Sequence, residues 1–447
     1  MPERLSRVAI VGAGFSGTLL AVNLVRHDGP DALLIARGDS FGRGVAYGTA
    51  HADHLLNVRA ANMSALPDAP AHFADWLARR DPAATPASFV PRATYGAYLG
   101  ELLDDADRAA GSRLTRRRGR VVSARPDAYG LTLRFADGGQ ERADALVLAT
   151  GNLPPHPPPG LDVDRLGDAY VADPWGARVA DGLGPDDTVL LLGTGLTMVD
   201  VALALDAAGF GGRIVALSRR GLLPRAHGDA APGRLAERPP ARAVPLLRAV
   251  RARADAIGWR GAVDELRPHT QDLWRAAGPA ERSRFLRHLR PWWDVHRHRL
   301  APEVAARIEA MRAAGRLELR AGTPVGCEAG ALLYRPRGSG RVERLAAARV
   351  VNCTGPAGDA TRSTDPLLRR LLADGLARPD AFRLGLDVDA HGRLIGSDGA
   401  PQPRLYALGP VTRGAHWEIT AVPDIRTQVW HLARRLSNAH WVGGEGL

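Results

Sequence analysis

Two stretches of the chain share one order of apolar and polar positions. The first opens with the apolar run Val8–Val11, passes through Gly12-Ala-Gly-Phe-Ser-Gly17, and continues over Thr18–Arg26 with helical character. A second apolar run, Ala32–Ala36, follows. The other stretch opens at Thr188–Leu192, turns at Gly193-Thr-Gly195, continues as a helix over Val199–Ala208 and reaches the apolar run Arg213–Ser218. A short continuous apolar run bounded by turn residues predicts a strand buried on both faces. Strand, glycine turn, helix and strand within about 30 residues form the βαβ context that gives a GxGxxG match physical meaning.

Each copy also closes alike. Ala145–Gly151 and Val350–Gly355 are apolar strands that end in Thr-Gly. Before the first ending, residues 119–150 predict three short strands with turns at 126–130 and 137–139. Before the second, Leu317–Cys353 predicts a meander. The run Pro154–Gly160 breaks the pattern. From about Gly355 the chain holds Arg404–Pro410 and a helix over Pro423–Leu436, expected to fold back onto the first copy. The expected fold class is α/β, with two Rossmann-like dinucleotide-binding domains carrying β-meander insertions, the second inserted into the first. The first domain would comprise 1–155 and 355–447. The second would comprise 156–354, with a helical Arg- and Trp-rich insertion at about 235–315.

The turns carry the candidate chemistry. Gly12 permits the tight turn, Gly14 lets a pyrophosphate approach the backbone, and Gly17 lets helix pack on strand. With Phe15 and Ser16 these residues start a helix, whose free N–H groups and positive dipole end favour phosphate. Gly193, Gly195, Leu196 and Thr197 are the counterparts in the second copy, where Met198 takes the third small position. Arg219 and Arg220 follow the next strand, where NADP-binding folds put cations against the 2′-phosphate, and no carboxylate is there to favour NAD. NADPH is therefore the expected nucleotide, against the alternative of a solvated arginine pair. The first copy has Ala36 where a ribose-binding acid is usual, followed by Arg37, with Asp39 out of register.

Composition narrows the remaining classes. The 447 residues are 45% hydrophobic and 24% charged, as in ordinary globular proteins. All 59 basic residues are arginine, so a Walker-A lysine and a Schiff-base lysine are excluded. The net charge of +11 is spread along the chain without a basic tail, helix-turn-helix or zinc-finger spacing. Nucleic acid is not an expected partner. Cys327 and Cys353 form no CxxC pair and read as buried free thiols, and no metal site is expected. The longest apolar stretch, Val189–Leu205, is broken by its glycine turn and Asp200, so no membrane span is expected. No apolar leader precedes the first strand, so a cytoplasmic location is expected.

Within 284–299, Asp294, His296 and His298 lack metal-ligand spacing on a helix. The stretch reads as an exposed ion-pair network with Trp292 and Trp293 packed, or as a surface for a carboxylate substrate.

Several further stretches carry a family resemblance. They are Phe41-Gly-Arg-Gly-Val-Ala-Tyr-Gly-Thr49, His54–Val58, Asn62–Ala65, Phe89–Arg92, Tyr95–Leu99, Trp292–Arg299 and Gly409–Asp424. With the two glycine turns, they resemble the bacterial FAD/NAD(P)-binding protein family, within the two-dinucleotide-binding flavoproteins of glutathione-reductase-like and flavin monooxygenase-like type. The resemblance implies FAD at the first turn, with Thr150 and Gly151 beside it and Asn57, Met63 and Ser64 along the cofactor. It places Gly409, Pro410, Thr420 and Val422 near the flavin ring, where a helix beginning near Pro423 would aim its N-terminal dipole. His416 and Glu418 would lie on the approach, as candidates to act on substrate, the alternative for Glu418 being an ion pair with an arginine.

The activity this implies is hydride transfer from NADPH to FAD, then oxygen transfer from O2 to a nitrogen or sulfur centre of a small amine or amino acid. Rival readings are a flavin reductase or dehydrogenase that passes electrons to another acceptor, and a non-catalytic flavin- or nucleotide-binding protein. The substrate and the oligomeric state are left open.

Overall fold

The computed structural model describes residues 5–49, 51–175, 179–228, 233–235 and 237–437. Its strands are, in chain order, β1 (Arg7–Val11), β2 (Asp31–Ala36), β3 (Leu114–Arg118), β4 (Val121–Asp127), β5 (Gly130–Phe135), β6 (Gln140–Ala143), β7 (Ala145–Leu148), β8 (Tyr170–Val171), β9 (Thr188–Leu192), β10 (Arg213–Ser218), β11 (Leu317–Glu328), β12 (Ala331–Pro336), β13 (Glu343–Ala346), β14 (Arg349–Asn352), β15 (Arg393–Ile395) and β16 (Pro401–Ala407). The chain divides into two compact units. One comprises residues 1–50, 58–153 and 357–447, and the other 51–57 and 154–356.

The first unit is built on a sheet of order β15-β16-β7-β1-β2-β3. All its neighbours pair in parallel except β15 with β16. One face is covered by the Phe15–Arg26 helix, which packs against the helices Arg92–Ala110 and Val422–Leu436. The other face buries Ala9, Leu33 and Leu146 against Leu133 and Phe135 of a separate antiparallel sheet, β4-β5-β6, and against Leu367 and Leu371 of the Pro366–Ala373 helix. Because both faces are covered, the central parallel strands β1, β2 and β7 read as nearly continuous apolar runs.

Residues 119–150 hold four strands, not three. Only Asp144 separates β6 from β7, and neither glycine nor proline marks the break. The Asp144 carboxylate accepts the backbone N–H groups of Ser6 at 2.5 Å and Arg7 at 2.8 Å, which ties the corner to the start of β1.

The second unit repeats the plan in a sheet of order β13-β12-β11-β10-β9-β14-β8. Here the meander is continuous with the sheet. The first half of β11 pairs in parallel with β10, and its second half pairs antiparallel with β12. The insertion folds as the helices Ala243–Leu266, Thr270–Ala276, Pro279–Arg284, Arg290–Arg297 and Pro302–Ala313. The 284–299 stretch is interrupted by a π turn at Phe285–Leu289. Pro291 has no N–H to return to the Arg287 carbonyl, which accounts for the break. Arg290 and Asp294 form an ion pair at 3.3 Å, but Trp292 is 44% exposed and not packed as the sequence suggested. Among the described residues no helix is long and apolar enough to cross a membrane.

Residues His51–Asn57 join this unit although they lie between two segments of the other in sequence. His54 is buried, with its Nε2 3.1 Å from the Asp200 carbonyl. Arg307 bridges Asp53 at 2.6 Å and Asp206 at 2.7 Å, and Arg316 pairs with Asp206 at 2.5 Å. Burial opposes ionisation of Asp206, but the hydrogen bonds from Arg316 and Arg307 outweigh it and hold the carboxyl below its ordinary value. A depressed carboxyl stabilises the fold above its unfolded pKa and loses that contribution as the pH falls. Asp206→Asn should therefore lower the urea midpoint at neutral pH, and the gap to the wild type should close as the pH falls through 3.8 and below.

Candidate functional site

The parallel strands of the first unit bring the sequence candidates to one edge. Gly12 follows β1, Arg37 follows β2, Thr150 and Gly151 lie beyond β7, and Gly409 lies beyond β16. Neighbouring connections leave β1 in opposite directions, and open α/β sheets bind ligands at such a switch point.

Gly12 has φ +112°, and a Cβ there would collide with the Ala149 carbonyl. Gly17 rests directly on the Gly12 carbonyl, with its Cβ position 3.1 Å from Ala149 Cβ. Helix and strand thus approach as closely as backbones allow. Gly14 is the N-cap of the Phe15–Arg26 helix. No side chain caps it and no acid sits in the first turn. The first N–H groups of a helix have no partner within it, so this end is open to an anion. The Ser16 side chain is buried beneath Gly409, where a Cβ would come 2.5 Å from Ser16 Oγ.

Gln428, on the Val422–Leu436 helix, fixes that second turn. Its Oε1 accepts the Gly409 N–H at 2.7 Å and its Nε2 donates to Thr412 Oγ1 at 3.1 Å, while the Thr412 hydroxyl donates to the Gly409 carbonyl at 2.8 Å. The Thr150 hydroxyl and the Tyr95 hydroxyl are both buried without a protein hydrogen-bond partner. Buried polar atoms are normally paired, so the Thr150 hydroxyl, just beyond β7, is consistent with a ligand that supplies a partner.

A glycine loop in the Phe41–Thr49 stretch, which carried the resemblance but was given no role in the site, closes on the same turn. Gly44 has φ +56°, and its Cβ position lies 2.9 Å from Gly14 Cα. Behind the loop, the Gly42 Cβ position is 3.3 Å from Gly100 Cα, and a side chain at Gly96 would strike the Tyr47 carbonyl. The available signal was the pair Gly96 and Gly100, four residues apart, which the structure places one turn apart in the Arg92–Ala110 helix. Each costs about 1 kcal/mol against alanine and so calls for a packing reason.

Other candidates are placed differently. Asn57 lies in the second unit, where its carbonyl is 3.0 Å from His227 Nε2. Met63 is buried, and the Ser64 hydroxyl donates to the Ala69 carbonyl at 2.6 Å, so that hydroxyl is used by its own turn. The Ser64 carbonyl accepts Arg426 Nη1 at 2.7 Å. Pro423 lies in the first turn of the Val422–Leu436 helix; Val422 is buried and Thr420 exposed. Just before the helix, Glu418 is buried with φ +68°, a conformation that costs a non-glycine residue about 1–3 kcal/mol. His416 is half-buried, and Arg413 lies 4.8 Å from the Trp417 ring centroid. Among the described residues no His, Cys, Asp and Glu cluster could hold a metal ion.

The second unit reproduces the turn. Gly193 has φ +123°, and a Cβ there would collide with the Cys353 carbonyl, as at Gly12 and Ala149. Gly12 N–H donates to the Ile35 carbonyl at 3.0 Å and Gly193 N–H to the Leu217 carbonyl at 2.8 Å. The N-cap Gly195 has φ −89° and ψ −164°, against −80° and −165° at Gly14. Leu196 and Thr197 open the helix, and Met198 is fully buried beneath it. At the end of β10 stands Ser218, whose Oγ lies 2.9 Å from Thr194 Oγ1 and accepts the Gly221 N–H at 3.0 Å.

The charges beyond the second strands differ between the two turns. In the first unit Arg37 lies 3.6 Å from Asp365, and Arg118, in register with Ala36, pairs with Asp39 at 2.5 Å. In the second, Arg219 is exposed and Arg220 half-buried, its Nε buried without a protein partner.

Residues 9–153 match the FAD-NAD(P)-binding family model. No curated protein matches the chain. Among solved structures it is similar to L-lysine 6-monooxygenase from Pseudomonas syringae, at 18% identity and TM-score 0.67, over 97% of this chain and 99% of that one. It is similar to the ornithine hydroxylase of Pseudomonas aeruginosa at 18% identity and TM-score 0.65, with the same coverage. It also matches the bacillithiol disulfide reductase of Staphylococcus aureus at 12% identity and TM-score 0.59, over 97% and 98%. At these identities the likeness is one of fold, that of the two-dinucleotide-binding flavoproteins.

Proposed function

We propose that this chain, whose residues 9–153 match the FAD-NAD(P)-binding family model, is an FAD-dependent, NADPH-using monooxygenase. Its substrate would be a small amine or amino acid, oxidised at nitrogen, or a sulfur analogue. The observation that carries the two-cofactor reading is the repeated turn with unequal charge. Gly12 and Gly193 make the same backbone contact, yet the cations near the first are matched by Asp365 and Asp39, while Arg220 buries an unpartnered Nε.

The first unit fits FAD. Its pyrophosphate would rest on Gly12, Gly14 and the N–H groups of Phe15, Ser16 and Gly17, with Gly44 closing from the other side. Thr150 and Gly151 would lie alongside, and Gly409 and Pro410 would border the flavin. FAD, when bound, supplies hydride acceptance and oxygen activation. The Val422–Leu436 helix, uncapped by any side chain and with Thr420 and Val422 at its start, would present its positive end to that ring. His416 and Glu418 are proposed to meet substrate. Asn57, Met63, Ser64 and Arg37 are assigned supporting positions. The second unit fits NADPH, with Gly193, Gly195, Leu196 and Thr197 at the pyrophosphate and Arg219 and Arg220 at the 2′-phosphate.

With the division of the chain into two units, the limits of 1–155 with 355–447 for FAD and 156–354 for NADPH are adjusted to give residues 51–57 to the NADPH unit. Amine hydroxylases among the similar folds support the oxygenase reading. A dithiol reductase is disfavoured because both cysteines are free and buried, and burial pushes the Cys353 thiol far up, so it stays protonated.

The deciding experiment loads the protein with FAD and follows NADPH oxidation and O2 uptake across amines, amino acids and thioethers, identifying products by mass. A product heavier by one oxygen atom, labelled from 18O2, is expected. NADPH oxidation with no oxygenated product from any of them would favour the reductase.

A further inference from the structure

Aromatic side chains form a continuous path through the first unit. Phe15, first residue of the helix after the phosphate turn, lies 5.9 Å from Tyr47 and 6.2 Å from Tyr95 between ring centroids. Tyr47 and Tyr95 are 4.7 Å apart, Tyr95 and Tyr98 5.5 Å, and Tyr98 and Trp76 5.5 Å. Packing alone would be served by phenylalanine at each place, so the polar atoms require an account.

Tyr98 has no exposed surface. Its hydroxyl accepts the Ala65 N–H at 3.3 Å and lies 2.8 Å from His72 Nδ1. With His72 in the tautomer protonated on Nε2, its Nδ1 is the acceptor and the phenol donates to it. Burial, with Arg79 and Arg26 nearby, holds His72 below its ordinary pKa, against weaker pulls from Asp75 and Asp105, which favours the neutral imidazole that can accept. Tyr95, deeper along the path, has no partner for its hydroxyl. Trp76 donates its Nε1–H to Glu101 at 2.8 Å, but Arg80 lies 4.1 Å from the indole centroid and pairs with the same carboxylate. That guanidinium opposes positive charge on the ring and draws on the acceptor.

A phenol gives up an electron readily only if its proton leaves with it. Tyr98 is the member of the path with a free base in place. We propose that the Tyr98–His72 pair is a sink for one-electron oxidising equivalents that escape at the flavin site, reached through Tyr47 and Tyr95. The need for such a sink rests on the oxygenase reading. The oxidant class is the hydroxyl radical, formed with hydroxide when free ferrous iron gives one electron to hydrogen peroxide released from the site. One electron passes from Tyr98 to the hydroxyl radical, giving hydroxide, and the Tyr98 proton moves to His72. The products are hydroxide, a neutral Tyr98 radical and protonated His72. A soluble thiolate or ascorbate then returns one electron, the proton goes back, and no side chain is consumed.

The sink is tested first without FAD. The purified protein is oxidised by pulsed azide radical, frozen, and examined by electron paramagnetic resonance in a Tyr129→Phe background, because Tyr129 is 86% exposed. Azide radical has no access to Tyr98, so a radical there has arrived through the protein. A long-lived tyrosyl signal is expected, lost in Tyr98→Phe and shortened in both His72→Phe and His72→Gln. An unchanged signal in Tyr98→Phe overturns the assignment.

A second arm illuminates FAD-loaded protein, whose excited flavin oxidises nearby aromatics. The same signal is expected, weakened by Tyr95→Phe. If it is missing while the visible spectrum shows bound FAD, the path does not reach the cofactor and the proposal fails. Protein that takes up no FAD sinks the flavin assignment instead, and the azide arm still decides on the sink.

Discussion

Gly14→Ala is expected to abolish FAD binding while leaving the fold nearly as stable as before. Gly14 has φ −80°, open to any residue, and its Cβ position meets only Gly44 Cα, at 3.5 Å. The free protein accepts the methyl as ordinary contact. The pyrophosphate does not, because it must come up against that backbone to reach the helix N–H groups. Losing two or three charge-assisted hydrogen bonds, each about 1.5–3 kcal/mol, weakens binding at least about 100-fold.

Gly17→Ala has a different signature. Its methyl falls on the Gly12 carbonyl and 3.1 Å from Ala149 Cβ, and the helix must shift off the strand. Overpacking of this kind costs about 1–3 kcal/mol even without ligand. Urea denaturation of the unloaded proteins, set beside FAD titration by flavin fluorescence, separates the two variants. Equal affinity in Gly14→Ala and wild type would remove FAD from this turn.

The contrast also shows what could be read from the residues. Gly12, Gly14 and Gly17 were legible because their requirement is local, set by a left-handed φ and a helix start within six residues. Thr150 and Gly409 were named through the family resemblance, because apolar strands ending beside them do not by themselves mark a ligand. The Gly42–Gly44 loop was not legible as part of the site. Its partners Gly96 and Gly100 lie more than fifty residues on, and backbone-to-backbone packing leaves no periodic trace. The His51–Asn57 segment failed for the same reason, since Asp53 finds Arg307 at the far end of the insertion. Trp292 was misplaced because helical periodicity assigns a face, and the π turn at Phe285–Leu289 shifts that face. Ala36 was read correctly as lacking an acid, but that Arg118 and Asp39 occupy the strand ends together depends on the register of β2 and β3.

Replacing both Arg219 and Arg220 by alanine is expected to remove the preference for NADP+ over NAD+. A 2′-phosphate held by a guanidinium gains about 1.5–3 kcal/mol per hydrogen bond, so the double variant should bind NADP+ about 100-fold more weakly, with NAD+ little changed. The two residues do not share the effect equally. Arg219 is exposed, and solvent and salt screen it; Arg220 buries its Nε and gives up less to water when it meets the phosphate. Arg220→Ala alone should account for most of the loss, and the preference that remains, carried by the exposed Arg219, should weaken as salt is added.

Arg37→Ala supplies the contrast, because the Asp365 beside it already answers that charge; NADP+ and NAD+ titrations of this variant should match the wild type. Ser218→Glu pushes the other way. It places a carboxylate at the end of β10, where it accepts ribose hydroxyls and repels a 2′-phosphate. In the Arg219→Ala and Arg220→Ala background that change should favour NAD+ outright. If NADP+ affinity is unmoved by the loss of both arginines, the 2′-phosphate does not lie at the end of β10, and the second turn serves another nucleotide.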